Sequence, residues 1–483
     1  MRLRAKILFS VALSAVWMVL PFSVQARSEP YETYIYQNDK AVPSLSGYAP
    51  LDVYSYSDMA LEAALSQPMD LFVDDEQQEV LLLDSGNGRV IILDEAMRAV
   101  TVIDRFDYRG EELSLDTPSS LCLKDPNTLV IADTGNERVV VCDRTGKVKE
   151  LLKKPASEVF PQESSFIPLK VASYAGKIYV LCRDIYQGAV VFDNEYHFER
   201  FYGANQVKLS AKLLLDRFWK TVMNEEQSSG LANYIPVEFT NLDIDDDGFV
   251  YTVTGKAGAS DRLRKMNAIG DNIIGSGKKF GDLDSVYDMG TIATNLVDVA
   301  VDAEGYVYAL DATWGRVFQY DSEFNMIFEF GSLGGSNKGT FSTPVALDTM
   351  GSRVLVLDST LGTVTTFGST EFGDKVHHAL QLYREGSYED ALGPWQEILQ
   401  LDNHYQLAHK GVGDGLFMLG EYRQAMREYK NANAKADYLK AMREYRNGLL
   451  HQWFALVLAA IVVVMLLVVW LMVHHDKKKR GGR

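Results

Sequence analysis

The stretch Asn241–Tyr251, NLDIDDDGFVY, sets Asp243, Asp245 and Asp247 at alternate positions just ahead of Gly248. Carboxylates so spaced, followed by a glycine that permits a sharp turn, make the first half of a calcium loop. The second half is missing. A bidentate Glu belongs at the twelfth position, and counting from Asp243 reaches Thr254. A sister stretch, VAVDAEGYVYALD, aligns so that Asp245, Asp247 and Gly248 take the places of Asp302, Glu304 and Gly305. The expectation is a hairpin turn, with Asp243, Asp245 and Asp247 kept as a weak calcium set.

A second group of residues has the chemistry of a polar-ligand site: Arg183, Asp184, Tyr186, Lys256, Asp261, Arg262 and Trp314. Mixed aromatic and charged side chains around a pocket suit a sugar, a peptide or another polar ligand. Solvated loop residues are the plainer account of each. Motifs for nucleophilic or zinc chemistry, Gly-x-Ser-x-Gly and His-Glu-x-x-His, do not occur. GSGKKFG (Gly275–Gly281) lacks the spacing of a phosphate loop. No cofactor is implied, and binding is expected ahead of catalysis.

The elements that carry these residues repeat. VLLLDSGNGRVIILD (Val80–Asp94) and LVIADTGNERVVVCD (Leu129–Asp143) share one pattern, and further copies begin at Ile178, Val307 and Val354, with a degenerate one at Val250. Six units of apolar strands and Asp/Gly turns, roughly 40–50 residues apart, are the signature of propeller blades. Asp-x-Gly-Asn-x-Arg-Val, at Asp84–Val90 and Asp133–Val139, resembles the NHL-repeat family over about Pro68–Phe367. The resemblance implies a mainly β fold, a six-bladed β-propeller, here placed at 31–372. The sixth unit lacks an outer strand, and Tyr31–Gln37 is expected to supply it.

In such propellers the loops joining second and third strands share a face with the connections between blades. That face would hold the ligand candidates above, beside an insertion at about 208–236. There Leu213, Leu214, Phe218 and Val222 have helical spacing. The recurring Asp and Asn of the motif are the usual loop-stabilising set, and the recurrence of Arg89, Arg138 and Arg316 at one blade position argues for packing. Propeller enzymes such as gluconolactonases place a metal at the central channel, held by Glu, Asn and Asp. The alternative function is therefore a hydrolase or lyase with a metal at the channel mouth. Its mark would be three or more carboxylate or amide oxygens converging there. All eight histidines fall outside the loops, which removes the His-bound metal centre of the amidating-lyase type.

From Asp374 the periodicity becomes helical. Gly386/Gly420, Tyr388/Tyr422 and Ala391/Ala425 recur at an offset of 34 residues, and the segment 374–448 resembles a short tetratricopeptide-repeat array. A structural stalk and a protein-docking groove are both open readings. The partners expected of a groove are envelope or membrane proteins, such as a transport complex.

Both ends read as targeting signals. Residues 1–26 have a basic start, an apolar stretch and a small-residue ending, as in an export signal peptide. Trp453–Val473 has 21 residues without a charge, about 30 Å of helix, and a basic tail follows at 474–483. The basic flank sets the expected topology: single-pass in a cell membrane, N-terminal region extracytoplasmic, tail cytoplasmic. A bacterial cell surface suits this design. The net charge is −17, and eight of the 48 basic residues lie in the two terminal segments, so the region between is more acidic still. Nucleic acid is not an expected partner. Cys122, Cys142 and Cys182 sit in apolar runs as core residues, with a Cys122–Cys142 bridge left open. The function expected is a membrane-anchored binding or scaffold protein.

Overall fold

The computed structural model describes residues 30–37, 39–161, 163–203, 238–255, 261–275, 277–283, 294–335 and 337–480, with side chains to 473. The signal segment, the 208–236 insertion, Lys256 and the side chains of the basic tail lie outside the described residues.

Six antiparallel sheets form the blades of a propeller. Blade 1 runs Asp70–Asp74, Glu79–Asp84, Arg89–Leu93 and Ala99–Ile103. Blade 2 runs Ser120–Asp125, Thr128–Asp133, Arg138–Asp143 and Val148–Leu152. Blade 3 runs Pro168–Tyr174, Lys177–Cys182, Ala189–Phe192 and Phe198–Tyr202. Blade 4, the degenerate unit, has three described strands, Asn241–Ile244, Val250–Val253 and Leu263–Met266. Blade 5 runs Leu296–Val301, Val307–Asp311, Arg316–Tyr320 and Met326–Phe330. The first strand of each blade neighbours that of the next around the ring.

Blade 6 closes the ring. Its strands Pro344–Met350, Arg353–Asp358 and Thr363–Ser369 are completed by Tyr48–Tyr54, which pairs from Val364↔Tyr54 to Ser369↔Tyr48. An N-terminal strand does close the propeller, but it is not the expected 31–37. Tyr34–Gln37 pairs instead with Lys40–Pro43 as a separate hairpin. The middle strands of a blade are covered on both faces by neighbouring blades. They are therefore solidly apolar: Val80, Leu81, Leu82 and Leu83 are all fully buried, as are Leu129, Val130, Ile131 and Ala132. The cysteines are free and buried, Cys122 and Cys142 in different apolar clusters.

Five helices follow: α1 (Glu371–Arg384), α2 (Tyr388–Leu401), α3 (Gln406–Met418), α4 (Tyr422–Asn431) and α5 (Lys435–Arg480). Gly386 and Gly420, between the paired helices, both take a left-handed backbone (φ 78° and 77°), a conformation open to glycine without strain. Thr370 caps α1, its Oγ1 accepting Gly373 N at 3.1 Å while donating to Ser46 O at 2.7 Å. This start of α1 lies so close to the chain that a Cβ on Gly373 would collide with Gly47 O.

The helices share a core with the propeller. Phe328, Phe330 and Phe367 of blades 5 and 6 belong to one buried cluster with Phe372, Val376, Trp395, Ile398 and Tyr405. Further along, Ala441 of α5 packs on Ala425 and Tyr429 of α4. From there α5 continues unbroken through the apolar run. Lys435–Val473 is long and apolar enough to cross a membrane.

Candidate functional site

The Asp-Asn-Arg repeat is a clasp. Asp84 is fully buried; its Oδ2 accepts Asn87 Nδ2 (2.8 Å) and Arg89 Nε (2.7 Å), and its Oδ1 accepts Ser66 N (2.7 Å). Asn87 and Arg89 also donate to the carbonyls of Ala64 and Ala63. Asp133, Asn136 and Arg138 repeat the arrangement on Asp116 and Ser114. Each clasp ties a connection between blades to its sheet.

Arg316 holds the same register but a different set of partners. Asp311 accepts backbone N–H groups of Asn295, Thr313 and Trp314, and burial pushes its pKa up to about 6. Arg316 turns to Asp282 (2.6 Å) and Glu329 (3.0 Å). Tyr34 of the N-terminal hairpin donates to Asp282, and Tyr36 Oη lies 3.3 Å from the same oxygen. Burial holds the Glu329 carboxyl well above the usual range, against the pull of Arg316. The expected closing strand is thus a cover over a buried ion cluster.

The ligand candidates fall into three loops. Arg183, Asp184 and Tyr186 leave blade 3 together; Asp184 N donates to Glu238 Oε1 at 2.7 Å, and Tyr186 Oη lies 3.4 Å from Asp184 Oδ1. In blade 4, Asp261 pairs with Arg264 at 3.6 Å. Arg262 is 3% exposed and donates to the carbonyls of Phe280 and Asp282, which places it inside the blade stack. Trp314 stands beside Arg316 in blade 5, and Lys256 lies outside the described residues.

Asp243, Asp245 and Asp247 would share a face only while the strand lasted; it ends at Ile244, and the turn that follows separates them. Asp243 is half-buried and faces the channel, accepting Ile244 N and Val301 N. Asp245 closes the turn: its backbone O accepts Gly248 N, its Oδ1 accepts Phe249 N and its Oδ2 accepts Tyr251 Oη. Lys265 lies 3.5 Å from that second oxygen.

The central channel was not legible as a polar site, yet it is one. Lys170 Nζ lies 3.0 Å from Asp70 Oδ1 and 3.9 Å from Asp298 Oδ1, joining blades 3, 1 and 5. Burial opposes the lysine's charge, but the two carboxylates hold its pKa above the usual range. The channel carboxylates also stitch first strand to first strand. Asp70 accepts Leu121 N, Asp243 Val301 N, Asp298 Leu347 N and Asp348 Val73 N, at 2.7–2.9 Å. Burial pushes Asp243 up to about 6 and Asp298 to about 7. The cavity left is about 130 Å³. Among the described residues, no group of three or more His, Cys, Asp or Glu is arranged to hold a metal ion.

Polar contacts also lock the helices to blade 5. His377 of α1 lies 3.1 Å from Gln319 Oε1, and Gln319 Nε2 donates to Tyr308 Oη (2.8 Å) and Tyr48 Oη (3.2 Å). Tyr308 donates to Asp302 at 3.0 Å, and Tyr405 Oη donates to Ile327 O at 2.9 Å. Burial lowers the His377 pKa to about 4, so the ring is neutral at physiological pH.

No protein-family model and no curated protein matches this chain. Solved structures are similar over the propeller. Virginiamycin B lyase from Staphylococcus aureus has 6% identity and a TM-score of 0.41 over 66% of this chain and 99% of that one. A gluconolactonase from Xanthomonas campestris has 11% identity and a TM-score of 0.42, covering 70% and 95%. The Kuenenia stuttgartiensis hydrazine synthase has 13% identity and a TM-score of 0.39, covering 64% and 97%. These likenesses bear on neither substrate nor activity.

Proposed function

We propose that the chain is a membrane-anchored, extracytoplasmic binding or scaffold protein. One observation carries the reading: propeller and helix pairs share one buried cluster across blades 5 and 6 and α1–α3, and α5, packed on α4 through Ala441, runs unbroken into the apolar stretch. A flexible tether would suffice to hold a domain near a bilayer. A shared core, followed by a helix that does not break before the apolar run, fixes the attitude of the propeller instead. The basic tail sets the cytoplasmic end. The recurring Asp-Asn-Arg clasp supports the NHL-like assignment, and the matched glycines at 386 and 420 support the tetratricopeptide-like one.

On this reading the propeller presents its loops, Arg183, Asp184, Tyr186, Asp261 and Trp314 among them, to a polar ligand or an envelope protein. The helix pairs present a second surface to a partner. The test is site-specific photo-cross-linking of the full chain in its native membrane. A photoreactive residue at Tyr186 or Lys279 should give discrete adducts, and the same residue at Arg98 on blade 1 serves as control. The adducts should be identified by mass spectrometry and rebuilt from purified components. Adducts no more discrete than the control's would overturn the reading.

A further inference from the structure

The seam between blade 5 and the helices contains two adjoining cavities, of about 270 and 520 Å³, which share Leu407 and Lys410 as walls. The smaller is aromatic, with Tyr306, Tyr383, Tyr388 and Trp395 around it. The larger is polar and carries Lys278, Lys279 and Gln406. Together they make a groove running from the propeller edge into the helix pairs.

The polar groups left without a matching acceptor along this groove are of one kind. Trp395 is 1% exposed, yet among the described residues its indole N–H has no hydrogen-bond partner. The nitrogen lies over Gly411, where an added methyl would collide with it. Gln406 Nε2 is likewise buried and without a partner. Among the described residues Lys278 hydrogen-bonds to the amide oxygen of Asn325 at 2.7 Å, and burial lowers its pKa against the pull of Asp321 and Glu323. Arg384 donates to the carbonyl of Glu304 and lies over the Tyr306 ring, with no carboxylate partner among the described residues. Two of these groups are orphaned donors and two are cations held by neutral partners. A buried donor without an acceptor loses its bond to water and gains none in return, so native structures keep few of them.

The acids on the groove do not meet this demand. Asp321 accepts from Asn325, Glu323 is the 3.5 Å partner of Lys410, and Asp39 pairs with Lys279 at the rim. A stretch where cations outnumber carboxylates is out of character for a chain of net charge −17. The missing partner is therefore anionic, rich in acceptors and apolar in part.

Resting on the binding reading above, we infer that this groove docks an acidic peptide segment of a partner protein. Its carboxylates meet Lys278 and Arg384, and an apolar side chain enters the aromatic cavity, where a carbonyl or carboxylate accepts from Trp395. The apolar group supplies burial and the acids supply orientation, a division common at peptide grooves.

The probe is a displayed random dodecapeptide library, panned on the full chain in nanodiscs, with the selected peptides then synthesised. The expected selection is acidic and carries a large apolar residue. Lys278→Met removes a desolvated charge, and Trp395→Phe removes the orphaned N–H together with part of the indole. Each should weaken peptide binding about tenfold; Lys278→Met should leave the melting temperature unchanged or higher, while Trp395→Phe, which opens space in the shared core, should lower it. Neutral or basic selections, no selection, or peptides indifferent to both variants would overturn the inference. Indifferent peptides that compete with adducts formed at Tyr186 would sink the groove alone and leave the binding function standing.

Discussion

His377 of α1 and Gln319 of blade 5 meet at 3.1 Å, and through this pair the helices are joined to the tyrosines Tyr48 and Tyr308 inside the propeller. The ring is buried and neutral, so acid acts on it through the unfolded chain. The unfolded imidazole takes a proton near pH 6.5, and the folded one only near pH 4. Its contribution to stability is whole above 6.5 and is lost as pH falls toward 4. Asp243 and Asp298, raised to about 6 and 7, act in the opposite sense: their contribution is present in acid and lost as pH rises through those values. The comparison must therefore be with His377→Gln. Chemical denaturation at pH 7 and 4.5 should show the wild type losing roughly 2–3 kcal/mol relative to the variant. Parallel pH profiles would remove His377 from the account.

Lys170→Met should be among the most damaging single changes in the propeller. It leaves Asp70 and Asp298 buried beside each other without a cation, an arrangement that costs roughly 3–5 kcal/mol. Adding Asp70→Asn should restore part of the loss in the same urea titration. A variant as stable as wild type would mean that the channel carboxylates are already neutral.

The recurring arginines should separate by partner. Arg89→Ala and Arg138→Ala each remove one clasp and should cost alike, roughly 1–3 kcal/mol. Arg316→Ala leaves Glu329 and Asp282 in a buried site without their guanidinium, and should cost more, roughly 3–5 kcal/mol. Equal losses in thermal melts of all three would contradict the distinction.

Calcium should not stabilise the protein. Asp243 faces the channel, while Asp245 already accepts from Phe249 and Tyr251. A weak extracellular-type site would raise the melting temperature measurably at about 10 mM calcium. No rise is expected, and a rise abolished by Asp247→Asn would restore the calcium set.

The blades were legible because a propeller repeats its turn chemistry. Asp84 and Asp133 serve the same three donors 49 residues apart. The helix pairs were legible for the same reason, through Gly386 and Gly420. The closing strand was misread. Tyr48–Tyr54 is apolar but contains Pro50 and Asp52, and its exposed residues run consecutively from Leu51 to Val53, so it lacks the alternation of a half-buried strand. The proline is tolerated because the strand is outermost and Pro50 adjoins a register shift, where Leu51 is skipped between the pairs Thr366↔Asp52 and Phe367↔Pro50. Tyr34–Gln37 has the stronger β composition, yet its tyrosines are there for Asp282. The channel escaped notice because its charged residues, Asp70, Lys170, Asp243, Asp298 and Asp348, come from five different blades and show no pattern until the ring brings the strands together. The groove escaped because its two walls come from segments about a hundred residues apart, Lys278 and Trp395 among them.

The central claim is that propeller, helix pairs and apolar helix move as one body. Pulsed electron resonance tests it, with nitroxides on cysteines introduced at exposed Arg98 of blade 1 and Arg443 of α5, in the full chain in nanodiscs. The native thiols are 0–5% exposed and should stay unlabelled. The account requires a single narrow distance distribution that persists at pH 7 with or without a bound peptide. A broad or multimodal distribution would mean that the propeller swings on its helices, and would contradict it.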